Sequence, residues 1–285
     1  MSGVRDKIAK AIAGIRAYHS SPHDFDKFDL NKIGTGEGAQ VYGHGLYFAE
    51  NPAVSGQGGQ YWNSFSTHPS FSEPEWRAAS RLRSVGFDRQ KAIAETQRDV
   101  RDWRDALKSP EHNPENAKKM LALRESELEM LLRDAPVGPR TYEVDIKADP
   151  SQFLDWDRQV TARAPQPIRE ALNTIANNNR GPLKDALWTA AREEQPGWYF
   201  YSRLMDHAKT GDLARNQAYA TDMLREAGVP GIKYLDQGSR AAGTGSSNYV
   251  VFDPGIVDIV KKYGVVGAPA GMGALAAQDQ YEVQP

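Results

Sequence analysis

Apolar and polar positions along this chain change period several times, and each change marks a different kind of element. Tyr142, Val144 and Ile146 alternate with Glu143, Asp145 and Lys147, the two-residue period of a half-buried strand. Asp149-Pro150 ends it, because proline lacks a backbone donor and restricts the residue before it. Short runs at residues 16–19, 45–49, 231–235 and 248–253 predict further strands, the last two joined by a Gly/Ser-rich loop at 238–247. Between 74 and 133 the period lengthens. Ile93, Val100, Trp103 and Leu107 recur at helical spacing, as do Leu121, Leu128, Leu131 and Leu132, with residues 109–114 as the turn between two charged helices. Four more helical patterns follow at 167–176, 183–194, 198–208 and 212–227, the last stopped by Gly228. A short amphipathic run up to Ile15 predicts a helix ahead of the first strand.

Strand-rich ends around a helical middle indicate an α+β fold whose sheet is assembled from pieces distant in sequence. The expected organisation is one domain over residues 1–263, interrupted by a helical hairpin at about 66–136, then a flexible Gly/Ala-rich tail at 264–285. The hairpin carries no chemistry of its own. It reads as a packed structural insertion or, alternatively, as a partner-binding arm or lid.

Composition narrows the function classes. The 285 residues include no cysteine, which removes disulfides, thiolate nucleophiles and zinc-thiolate sites and is compatible with a reducing cytoplasm. Lysine and arginine total 35 against 37 acids, a formal charge of −2 that gives no global attraction for nucleic acid. The N-terminus lacks the apolar core of a secretory signal, and no apolar run reaches the roughly 18 residues of a spanning helix. A cytoplasmic protein without a membrane span is expected.

Three segments carry candidate chemistry, and each is ambiguous alone. Ala17-Tyr18-His19-Ser20-Ser21-Pro22 is a strand ending in a histidine and two hydroxyl residues; such a histidine is more often a satisfied surface residue than a functional one. Gly43-His44-Gly45-Leu46-Tyr47-Phe48-Ala49-Glu50 is a glycine-hinged strand whose aromatics are as readily core as pocket. Ser247-Asn248-Tyr249-Val250-Val251-Phe252-Asp253 has the texture of a buried central strand. His19, His23, His44, Asp24 and Asp26 match no common metal-ligand spacing, so no metal is expected.

In this order the three segments resemble the His-Tyr-Glu class of ADP-ribosyltransferases, the poly(ADP-ribose) polymerase and diphtheria-toxin-like superfamily. The Gly-Leu-Tyr-Phe-Ala-Glu string is similar to the second-strand motif of that class. Closer still are the ADP-ribosyltransferase-like regions of bacteriophage polyvalent proteins, which combine Tyr-His-Ser-Ser-Pro, a Gly-Glu-Gly loop and Pro-Gly-Ile-Lys/Arg-Tyr-Leu-Asp. The resemblance covers residues 16–65 and 140–262 and omits the helical hairpin.

The resemblance implies split, mainly antiparallel β-sheets around a NAD cleft. It also implies transfer of one ADP-ribose from NAD, as co-substrate, to a macromolecular acceptor, with protein favoured and nucleic acid open. The implied site of action is a cytoplasm, including that of a host reached from a virion. His19 matches the histidine that binds ribose hydroxyls, and Ser20 falls where backbone groups pair with the nicotinamide amide. Tyr47 matches the tyrosine that stacks on nicotinamide, and Ser55, eight residues on, the serine that donates to its carboxamide. The second stacking tyrosine is replaced by Gly58, with Tyr61 as substitute. The glutamate of the class is replaced by Asn248, an uncharged amide, which puts polymer formation, and to a lesser degree catalysis itself, in doubt and leaves a catalytically weak NAD- or protein-binding module, or a structural segment of a phage internal protein, as alternatives. Glu37, in the loop before the Tyr47 strand, is either the carboxylate that repairs that loss or a solvated loop residue.

Overall fold

A computed structural model describes residues 14–33, 40–133, 135–240 and 242–263. They fall into two compact units, one drawn from the described residues of 14–19, 25–55 and 142–261 and the other from those of 20–24, 56–141 and 262–263. The N-terminal helix expected before Ile15, the loop bearing Glu37 and the tail at 264–285 lie outside the described residues.

The chain contributes β1 (Ile15–Ser21), β2 (Leu46–Ala49), β3 (Arg140–Ile146), β4 (Leu154–Asp155), β5 (Gly231–Leu235), β6 (Ser247–Val251) and β7 (Val257–Tyr263) to one sheet, in the order β4-β5-β6-β2-β1-β3-β7. The pairs β1–β2, β2–β6 and β5–β6 are antiparallel and β4–β5 is parallel. The fold is therefore α+β with a mixed sheet. The expectation of two split sheets is corrected: the strands hydrogen-bond in a single continuous order.

In the first unit both faces of the central strands are buried. On one, Ile232, Tyr234 and Val250 pack with Ile168, Leu172 and Ile175 of α6 (Gln166–Asn178), Leu183 and Leu187 of α7 (Pro182–Arg192), Phe200, Tyr201 and Leu204 of α8 (Gly197–Ala208), and Leu224 of α9 (Leu213–Glu226). On the other, Ile15, Ala17, Phe48, Tyr142, Val144, Tyr249 and Val251 form a second cluster. The four helices arise where the apolar period placed them, each presenting one stripe to the sheet. Burial of both faces corrects the reading of β3 as half-buried. Glu143 is only 7% exposed, and its carboxylate meets Arg16 Nε at 2.6 Å; a carboxylate so enclosed needs such a counter-charge.

In the second unit, α2 (Gln60–Phe65), α3 (Glu73–Ser84), α4 (Arg89–Ala106) and α5 (Pro114–Leu132) enclose Trp62, Ala78, Ala79, Leu82, Ala92, Leu131 and Val137. The two expected helices are α4 and α5, and α3 is an addition that corrects the hairpin to three long helices. Its buried face is Ala78, Ala79 and Leu82 among charged neighbours. Side-chain caps fix the starts of the other two: Asp88 accepts from Lys91 N, and Asn113 from Glu115 N and Asn116 N ahead of Pro114. Arg89 closes the end of α5 by donating to the carbonyls of Leu131 (2.7 Å), Ala135 (3.1 Å) and Arg133, so terminal acceptors that the helix cannot satisfy meet a cation. Glu127, 1% exposed, accepts from Arg81 (3.1 Å) and Arg124 (2.5 Å). Among the described residues no helix is long and apolar enough to cross a membrane.

Candidate functional site

The three motif segments become neighbours: β2 lies between β1 and β6, with Tyr18 opposite Ala49, Ala49 opposite Asn248, and Tyr47 opposite Val250. Antiparallel partners share a face and successive residues alternate, so Tyr47 and Asn248 project to the same side. That side is the helical one, where the half-buried Tyr47 ring packs against the first cluster. Tyr234 of β5 stands directly opposite Asn248 and stacks on Tyr42, ring centroids 3.8 Å apart and planes 11° from parallel.

Tyr47 is held by its own turn. Its hydroxyl donates to Gly43 O (2.8 Å) and accepts from Tyr42 N (3.2 Å). Gly43 has φ +120°, and a Cβ on Gly45 would meet Val251 O at 2.8 Å, so the paired glycines of Gly-His-Gly supply conformation at one position and clearance at the other.

His19 points the other way. The register places it opposite Phe48, and its ring sits among Phe28 (5.3 Å), Phe48 (5.9 Å), Phe25 and Tyr142 (both 6.3 Å). Its Nδ1 donates to Tyr47 O at 2.9 Å. A carbonyl only accepts, so Nδ1 carries the proton and Nε2 keeps the lone pair in the neutral ring. Burial pushes the imidazole below its ordinary range, outweighing the bond to Tyr47 O that favours the cation. His19 and Tyr47, both expected at the NAD cleft, thus project from opposite faces of the sheet and are joined through the Tyr47 backbone.

The other expected residues distribute as follows. Ser55 is buried in the single turn α1 (Pro52–Ser55) of the first unit. Ser20, buried, and Tyr61, 44% exposed on α2, belong to the second unit. Gly58 takes φ +76°, a conformation in which the missing tyrosine would be strained. Asn248 Oδ1 is buried with no hydrogen-bond partner among the described residues, an acceptor that lacks a donor on a residue that shares its sheet face with Tyr47 and stands opposite Ala49.

Two features of this region were not among the expected site residues. Glu50, last in the Gly-Leu-Tyr-Phe-Ala-Glu string, accepts from Ser247 N (2.8 Å) and Tyr249 OH (2.7 Å). Burial first, then the Glu50 carboxylate, pushes the Tyr249 phenol far up, so it stays a protonated donor. The acid closing the motif was the available signal. The second feature has no local signal, because its members are scattered: Arg240, on the turn α10 (Gln237–Arg240), donates to Tyr42 OH (2.8 Å), lies 5.2 Å from the Tyr42 ring centroid and pairs with Asp157 (3.4 Å). Asp236 accepts from Ser239 N (2.7 Å) and from Ser246 Oγ, closing the base of the loop that leads to β6. Among the described residues no group of three or more acidic or histidine side chains could hold a metal. Comparison with known protein families, with curated proteins and with solved structures finds no match to this chain.

Proposed function

We propose that this chain is a NAD-dependent mono-ADP-ribosyltransferase of the His-Tyr-Glu class, acting in a cytoplasm on a macromolecular acceptor, protein before nucleic acid. The observation that carries the reading is the pairing of β1, β2 and β6, which gathers three motifs from opposite ends of the chain and aligns Tyr47 with Asn248 on one face. The flat, cationic nicotinamide suits the Tyr47 ring by stacking and cation-π attraction, and the orphaned Asn248 Oδ1 suits a ribose hydroxyl as donor. In the transfer, the nicotinamide–ribose bond breaks with its electron pair leaving on nicotinamide. An acceptor nucleophile then bonds to the sugar carbon and gives up its proton. The developing positive sugar resembles that of glycoside cleavage, where a carboxylate lowers the barrier; an amide at position 248 orients without supplying charge.

A second reading, a NAD-binding module without turnover, is favoured by that same Asn248 and by the His19 ring lying on the face opposite Tyr47. Calorimetry with NAD and measurement of nicotinamide release separate the two. Binding is expected for the wild type, and Asn248→Glu is expected to raise release. If Glu37 already supplies the charge, that gain is small and Glu37→Gln removes release while sparing affinity. Absence of NAD binding by the folded wild type would overturn both readings.

A further inference from the structure

The Asn248 Oδ1 atom has no hydrogen-bond partner among the described residues, so its direction depends on how the strand beneath it is held. Residues on either side of it are held by one side chain. Ser247 N donates to Glu50 Oε2 (2.8 Å), Tyr249 OH donates to Glu50 Oε1 (2.7 Å), and Glu50 N donates back to Ser247 O (3.0 Å). The Tyr249 ring is itself fixed, buried and edge-on to Phe153 at 5.0 Å. These bonds bracket Asn248 in the register that sets it opposite Ala49.

We propose that Glu50 is a positioning residue, a carboxylate strap across the ends of β2 and β6 that holds Asn248 toward the face carrying Tyr47. The chemistry calls for a carboxylate in particular. Two donors converge on its two oxygens, and a carboxylate accepts at both, whereas a glutamine of the same shape turns an NH2 group toward one of them. Both oxygens are engaged by the strand, so Glu50 acts through Asn248. Only the NAD arm of the test rests on the proposed function.

The test uses the full chain with 15N-labelled asparagine and NAD itself as the probe. In folded Glu50→Gln, the Asn248 side-chain amide signal, assigned by its loss in Asn248→Ala, is expected to shift or broaden. NAD affinity should fall by roughly tenfold, the size of a lost charge-assisted hydrogen bond. In the Asn248→Ala background the Glu50→Gln change should have no further effect on NAD affinity, because coupled residues are not additive. A merely structural clamp would lower the melting temperature and leave that coupling absent. Should Glu50→Gln not fold, Tyr249→Phe removes one of the two donors while keeping the ring, and carries the same expectations at smaller size. An unchanged Asn248 signal in a folded variant overturns the proposal. If the wild type binds no NAD, the proposed function fails, and the Asn248 signal alone decides whether the strap exists.

Discussion

Tyr47 offers the sharpest separation of folding from ligand binding, because its hydroxyl and its ring do different things. The hydroxyl makes two bonds to its own turn, to Gly43 O at 2.8 Å and from Tyr42 N at 3.2 Å, while the ring packs against the helical-side cluster. Tyr47→Phe removes the hydroxyl and keeps the ring. Each neutral hydrogen bond contributes about 1 kcal/mol net, so the variant should lose about 1–2 kcal/mol of stability. It should stay folded, since ordinary domains hold about 5–15 kcal/mol. NAD affinity should barely change in the Phe variant. Tyr47→Leu keeps apolar bulk and loses the π face, and should cost about 1–3 kcal/mol of binding by analogy with base stacking. Tyr47→Ala is a poor test, because emptying a packed site costs about 3 kcal/mol or more in folding alone. Urea unfolding gives the stabilities and calorimetry with NAD the affinities. Equal loss of affinity in the Phe and Leu variants would show that the hydroxyl matters rather than the ring. Wild-type affinity in the Leu variant would make Tyr47 ordinary core.

Three further outcomes are expected. Burial holds the His19 imidazole below its ordinary value of 6.5, so the unfolded chain binds more protons. This contribution to stability is present above 6.5 and is lost as pH falls through and below it; the stability measured by urea unfolding should fall as the pH is lowered from about 7.5 to about 5, and His19→Gln should reduce the slope. His44, shifted down mainly by its own burial, adds to the same trend. Glu127→Ala leaves Arg81 and Arg124 facing each other with Asp99 as their remaining shared acid, and thermal unfolding should register a loss near 3 kcal/mol, the lower end for a broken buried pair; an unchanged midpoint would deny the network its stabilising role. Gly138→Ala should cost about 2–4 kcal/mol in denaturant titration, because Gly138 has φ +72° and an added Cβ would meet Ala79 Cβ at 2.6 Å.

Local features were legible in the amino-acid sequence. The helices α6 to α9 and the strands β3 and β5 fall where the apolar period put them, because a helix or strand with one dominant stripe declares its own spacing. The Gly-Leu-Tyr-Phe-Ala-Glu string was equally visible, since its six residues are contiguous, whereas the clearance that requires Gly45 is against Val251 of a distant strand. Elements with short or broken patterns escaped: α3 carries small alanines in place of large apolar residues on most of its buried face, β4 has two residues, and Lys261-Lys262 breaks the alternation of β7. Everything that depends on partners was set by packing between distant segments. Glu143 alternates like a solvent-facing residue yet is buried, because cover on both faces is a property of the sheet. Glu50 reaches Tyr249 across 199 positions of chain. His19 and Tyr47 lie on opposite faces because Tyr18 pairs with Ala49. A period of two fixes which residues of one strand share a face, but a shift of one residue between strands exchanges the faces, and that register is set by packing between segments far apart in the sequence.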